Sequence, residues 1–200
     1  MNVYFPKVNG VNLSELKISN VGKYSVSKPQ DSLITNKIIS SYFRKNKKIT
    51  ITDACGNNGG NTINMALQFY KVNSVEIDKN EFSILKHNVN VYKLKNVKLY
   101  NDDYLNQMFK LKQDVVFIDA PWGGPNYYKH QNLDLYSGKK NIIDIVKELY
   151  NNNKYKLCVL KVPKNYNFTG LFNWKNIKFD IYSLEKYVII CIYVQMLNNK

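Results

Sequence analysis

Residues 49–62 read Ile49-Thr50-Ile51-Thr52-Asp53-Ala54-Cys55-Gly56-Asn57-Asn58-Gly59-Gly60-Asn61-Thr62. The β-branched, apolar run over 49–55 reads as a strand, the glycine-asparagine run as a turn, and a helix is expected from Thr62 to about Tyr70. Neither G-x-G-x-x-G nor a Gly-Lys-Ser/Thr ending is present, which argues against NAD, FAD and nucleoside triphosphates. The glycines let a backbone approach a ligand closely. Asp53 stands three residues before the first of them. A cation suits that carboxylate, whereas a pyrophosphate is repelled by it. A tight structural turn is the competing explanation.

The alternation continues on both sides. Upstream, Leu33, Ile34, Ile38, Ile39, Tyr42 and Phe43 recur at helical steps from Pro29 to about Lys45, with Pro29 and Asp31 as start signals. Arg44, Lys45, Lys47 and Lys48 gather at the end of that helix, where its dipole favours cations. Downstream, strands are expected over 74–77, 97–100, 115–118 and 157–162, and helices over 80–92, 105–111 and 141–150. The strands over 177–183 and 187–196 are joined only by Leu184-Glu185-Lys186, too short for a crossover helix, so they form an antiparallel hairpin. Repeated β-then-α units ending in a hairpin imply an α/β, Rossmann-like domain with a mostly parallel seven-stranded sheet. Residues 29–200 are expected to form that domain, and residues 1–28 an N-terminal segment that contributes to the substrate site.

Composition narrows the partners. The 200 residues include 29 Lys+Arg and 15 Asp+Glu, a formal net charge of +14. Counterion release rewards such a chain for binding a polyanion, nucleic acid before membrane, with solubility as the alternative use. A hydrophobic fraction of 44% and an aromatic fraction of 14% exclude a disordered basic tail. No apolar run approaches the ~20 residues of a membrane span, and the polar stretch 1–12 lacks the apolar core of a secretory signal. Cys55, Cys158 and Cys191 are odd in number and far apart, and His87 and His130 have no partner at ligand spacing. Neither a disulfide framework nor a metal site is expected; the thiols read as buried in a reducing, intracellular compartment.

In such sheets ligands bind beyond the carboxyl ends of the strands. Asp78, about twenty residues after the glycines, stands where these folds place an acid for ribose hydroxyls. Asp103, beside Tyr104, follows the third strand and suits an adenine amino group. Helix capping explains any one acid. Acids after three successive strands, with glycines at the first, point to S-adenosylmethionine, a cationic cofactor without phosphate, and so to the class I methyltransferase form of the fold.

Asp119-Ala120-Pro121-Trp122-Gly123-Gly124-Pro125 follows the apolar fourth strand. An exocyclic amine shares its lone pair with its ring, so methylation requires the amine held with that pair towards the methyl. Two acceptors do this: the Asp119 carboxylate and the backbone carbonyl at Ala120 or Pro121. Pro121 stiffens the backbone, and Trp122 offers a face on which the base stacks. A proline-glycine turn with a core tryptophan is the alternative reading.

These residues resemble the trimethylguanosine synthase family, the RNA cap guanine-N2 methyltransferases. Asp53-Ala54-Cys55-Gly56 with Gly59-Gly60-Asn61-Thr62 is similar to its D-A-F-C-G-V-G-G-N-T block, one residue shorter. Residues 117–127 are similar to its P-P-W-G-G-P-x-Y block, Tyr24-Ser25-Val26-Ser27 to its F-S-V-T segment, and Val162-Pro163-Lys164-Asn165 to its L-P-R-N. The resemblance implies S-adenosylmethionine held by Asp53, Cys55, Gly56, Asp78, Asp103 and Tyr104. It implies Asp119, Ala120, Pro121 and Trp122 as the catalytic segment, and a 7-methylguanosine cap on RNA as partner. Ser25, Asn61, Trp122, Tyr127 and Lys164 would contact that cap or its triphosphate. Lys164 stands where the family tends to have Arg, and Ala120 replaces a proline. Transfer to another base amine, such as adenine N6, and a non-catalytic cap-binding subunit remain open. So does the oligomeric state, with a monomer as the default.

Overall fold

The computed structural model describes residues 3–44 and 48–194. The expected basic helix end at Lys45 and Lys47 and the expected strand end at Met196 lie outside them. After a 3-10 turn over Leu13–Glu15 come α1 (Gly22–Ser25) and α2 (Pro29–Ser41). Then β1 (Thr50–Asp53), α3 (Gly60–Ala66), β2 (Lys71–Glu76), α4 (Lys79–Val91), β3 (Val97–Asn101), α5 (Tyr104–Gln107) and β4 (Val115–Ile118) follow in turn. The small strands β5 (Tyr136–Ser137) and β6 (Lys140–Asn141) lead into α6 (Ile142–Asn151). β7 (Leu157–Pro163), α7 (Thr169–Phe172), β8 (Lys178–Ser183) and β9 (Tyr187–Tyr193) complete the described chain.

Seven strands form one sheet in the order β3-β2-β1-β4-β7-β9-β8. The first five are mutually parallel, and β9 runs antiparallel to both β7 and β8. This is the architecture that the alternation predicts. The chain builds β1 to β3 outward on one side, then returns to place β4 on the other side of β1. Beyond the carboxyl ends of β1 and β4 that reversal opens a crevice, where open α/β sheets bind their ligands.

Both sheet faces are covered. Ile39 of α2 and Met65 of α3 pack on Phe117, Val159 and Ile189 on one face. Ile145 and Leu149 of α6 pack on Ile118, Leu160 and Ile190 on the other. All four residues of β4 and all seven of β7 are buried, as a central strand covered on both sides requires. Each buried aliphatic side chain contributes about 1.5–3 kcal/mol, so these two strands anchor the crevice from below. α2 starts at Pro29 because Lys28 is extended and the ring suits the first helical position.

Several expected boundaries move. β2 starts at Lys71 and ends at Glu76, so Asp78 lies beyond the strand and caps α4, accepting from Asn80 N and Glu81 N. α3 stops at Ala66 because the chain must turn into β2 by Lys71, and the helix near 105–111 shrinks to one turn. The β5–β6 pair and α7 have no periodic signal in the sequence. The N-terminal segment is fastened to α4: Phe5 and Leu16 are buried against Ile63, Leu85, Val89 and Tyr92. The Asn88 amide also bridges Lys17 N, Lys17 O and Asn58 O at 2.9 Å each.

Candidate active site

A cavity of about 190 Å³ opens at the carboxyl ends of β1 to β4. Its walls include Ala54, Cys55, Glu76, Ile77, Asp102, Asp103, Tyr104, Pro121, Tyr136 and Ser137, none of them basic. Glu76 is held by Asn57 N at 2.7 Å and Asp78 N at 2.8 Å. Burial raises its pKa, against these two hydrogen bonds. Asp102 accepts from Asn106 Nδ2 at 2.8 Å and Gln107 Nε2 at 2.6 Å, which hold its carboxyl below the ordinary range. Asp103 caps α5 through Leu105 N at 2.9 Å. A Cβ on Gly138 would lie 2.4 Å from Asp103 Oδ2, so β5–β6 sits tightly over that carboxylate.

This donor set fits S-adenosylmethionine. Three carboxylates can accept from ribose hydroxyls and attract an ammonium and a sulfonium, while Ala54, Ile77, Pro121 and Tyr136 give an apolar flank. The same carboxylates repel phosphate. Of the residues expected to hold the cofactor, Cys55, Asp103 and Tyr104 line the cavity. Glu76 and Asp102 join them without having been singled out.

Three expected cofactor residues stand elsewhere. Asp53 is wholly buried behind the cavity, accepting from Thr62 Oγ1 at 2.6 Å and Cys55 N at 3.4 Å. Burial first, then the nearby Asp119 and Glu76 carboxylates, push its pKa up to about 7. Gly56 gives its N–H to Val75 O, and a Cβ there would meet Ser74 Oγ at 2.4 Å, so protein rather than ligand needs the space. Asp78 is committed to capping α4, and Glu76 occupies the strand end in its place. Gly60 likewise admits protein: a Cβ would come 2.7 Å from Ser27 O, the point where the N-terminal segment crosses α3.

Pro121 connects this cavity to a polar cluster around Asp119. Asp119 Oδ2 accepts from Ser27 Oγ at 3.0 Å, Asn61 Nδ2 at 3.2 Å and Lys161 Nζ at 2.8 Å. Ser27 Oγ in turn accepts from Lys161 Nζ at 2.6 Å and Asn61 Nδ2 at 3.0 Å, and Ser32 Oγ donates to Asn61 Oδ1 at 2.9 Å. The sheet register explains the meeting of Asp119 and Lys161: Ile118 pairs with Leu160, so the next residues are neighbours. Gly123 and Gly124 follow with φ of +87° and +85°, left-handed values that reverse the loop after Trp122.

Trp122 is half-buried. Tyr127 meets it edge-on at 5.0 Å, and Lys161 Nζ lies 5.5 Å from its ring centre. Its Nε1 is buried without a partner among the described residues, at a cost of about 1–3 kcal/mol. Packing alone does not account for a tryptophan here.

Among the expected substrate residues, Asn61, Trp122 and Tyr127 come together at this cluster. Asn165 Nδ2 holds Tyr127 O at 2.9 Å. Ser25 lies apart, donating to Val21 O and accepting from Asn57 Nδ2 beside the glycine turn. Lys164 is exposed and donates to Ser183 Oγ at 2.7 Å. Ser27 and Lys161, both 6% exposed or less, take the positions against Asp119. Lys161 had a readable signal, a single charge inside the apolar run 157–162.

Residues 47–198 match the family described as RNA cap guanine-N2 methyltransferase. Over 150 residues the chain is 35% identical to an uncharacterized protein of Acanthamoeba polyphaga mimivirus, covering 73% of this chain and 59% of that one. Over 84 residues it is 37% identical to trimethylguanosine synthase of Schizosaccharomyces pombe, covering 38% of this chain and 35% of that one. The chain thus spans less than two thirds of the length of these curated relatives. Precorrin-6y C5,15-methyltransferase from Geobacter metallireducens superposes with a TM-score of 0.61 at 15% identity, covering 92% of this chain and 98% of that one. That likeness speaks for the fold alone.

Proposed function

The chain belongs to the RNA cap guanine-N2 methyltransferase family, whose members are S-adenosylmethionine-dependent, and on that premise we propose that it methylates the exocyclic N2 of a 7-methylguanosine RNA cap. The supporting observation is the adjacency of two unlike sites across Pro121: an acidic cavity, and a cluster joining Asp119 to the half-buried Trp122. When bound, S-adenosylmethionine supplies the methyl group from its sulfonium.

The chain's own residues hold the amine. Asp119 and the backbone carbonyl at Ala120 or Pro121 accept its two N–H bonds, which turns the nitrogen lone pair towards the cavity. Such positioning can supply ~7–11 kcal/mol of a barrier, so no strong base is needed. A 7-methylguanine ring carries positive charge, and stacking it on Trp122 adds a cation–π gain of up to ~2 kcal/mol once water is excluded. Tyr127, edge-on to the indole, fixes the ring plane. Lys164, exposed three residues beyond Lys161, is a candidate contact for the triphosphate of the RNA.

The test is methyl transfer from labelled S-adenosylmethionine to cap analogues with and without the N7 methyl. Labelling of the N7-methylated analogue alone is expected. Equal labelling of both, or of neither, overturns the assignment.

A further inference from the structure

All three side-chain donors that reach the Asp119 carboxylate converge on Oδ2; none of the described residues donates to Oδ1. Among these donors only Lys161 is charged. It is 6% exposed, its ammonium bonds Asp119 and Ser27, and it lies 5.1 Å from the Tyr187 ring centre and 5.5 Å from that of Trp122. A buried lysine in a strand is costly unless paired, and this one interrupts a strand that is otherwise apolar through residue 163. Hydrophobic residues on both faces would stabilise such a strand at least as well, so stability alone does not explain the pair.

We infer that Lys161 is a positioning residue for methyl transfer: by fixing Asp119 Oδ2, it leaves Oδ1 as the acceptor presented to the substrate amine. The inference rests on the function proposed above. A carboxylate free to rotate would offer either oxygen at several angles, and a misplacement of about 1 Å costs on the order of 10²-fold in rate. The ammonium also lies over the Trp122 ring, so the lysine ties the carboxylate and the indole into one cluster. The geometry assigns Lys161 no contact with the reacting atoms; it acts through Asp119.

A double-mutant cycle tests this: wild type, Lys161→Met, Asp119→Asn and the double variant, each assayed for kcat and KM on an N7-methylated cap dinucleotide. Binding of S-adenosylhomocysteine reports cofactor-site integrity. Lys161→Met is expected to lower kcat by about tenfold or more with KM changed less than about threefold. The double variant should fall no further than about twofold below Asp119→Asn, because the lysine has nothing left to position. The double variant also replaces the buried ion pair by neutral groups, so it remains folded even where Lys161→Met alone strands a buried carboxylate. Losses that multiply, or a Lys161→Met effect confined to KM, would overturn the inference and assign the lysine a direct ligand contact. A wild-type chain that methylates no exocyclic amine removes the proposed function itself, a result distinct from an active chain with multiplying losses.

Discussion

Asp53 and Trp122 are the residues whose surroundings make the clearest demands. Asp53 sits wholly buried with Thr62 and a backbone amide as its donors and with Asp119 and Glu76 as unfavourable neighbours. Its pKa, near 7 in the folded chain, lies above the ordinary carboxylate value, so the folded state keeps its proton longer than the unfolded state does. The sign follows: between about pH 4 and pH 7 this group removes stability as pH rises, and the full loss is present above 7. Asp53→Asn, which keeps the shape without the charge, should therefore gain on the wild type across that window, by at most about 4 kcal/mol. Urea unfolding of both proteins at several pH values checks it; a constant difference between pH 5 and 8 would contradict it. Trp122→Ala should lower kcat/KM for a cap analogue by about 10- to 100-fold, as the loss of one base stack implies, with cofactor affinity unchanged. Equal loss of cofactor binding would place the indole in the wrong site.

At the scale of elements, the N-terminal segment reaches the Asp119 cluster. It is held by the Asn88 amide and by Phe5 and Leu16, and it delivers Ser27 to Asp119. Asn88→Ala strands two backbone carbonyls and one N–H, so it should cost about 2–4 kcal/mol and expose the segment to limited proteolysis. Unchanged stability would show that the segment's other contacts suffice to fasten it. Little of this attachment was legible, because side-chain bonds to irregular backbone leave no period in the sequence. The central strands were legible for the opposite reason: residues 115–118 and 157–162 are apolar runs, and apolar runs between turns have few other uses. β2 was misread at its start because Asn73 looks like a loop residue. In the structure it is buried and satisfied by Thr52 Oγ1 and Lys112 O, and Ser74 beside it by Thr62. The cavity was half legible: acids at strand ends line it, but Glu76 at the end of β2 stands there in place of Asp78. The Asp119 cluster draws on residues 27, 61, 119 and 161, and only the register of β4 against β7 brings the last two together.

At the scale of the whole molecule, the net charge of +14 and the acidic cavity pull in different directions. If RNA is the substrate, as proposed, the net positive charge of the chain attracts its phosphates while the acidic cavity repels them from the cofactor position. Among the described residues, no helix is long and apolar enough to cross a membrane. If the surface lysines engage RNA phosphates beyond the cap, KM for a capped oligonucleotide should rise steeply with salt, and KM for a cap dinucleotide much less. Parallel salt dependences would confine recognition to the cap. The central claim, that Asp119 and Trp122 hold a flat purine with its amine turned to the cavity, is tested most directly by a crystal structure with S-adenosylhomocysteine and an N7-methylated cap dinucleotide. The account predicts the methylated ring stacked on Trp122, with its exocyclic nitrogen about 3 Å from Asp119 Oδ1. An indole still enclosed by Tyr127 and Lys161, with the base bound elsewhere, would contradict it.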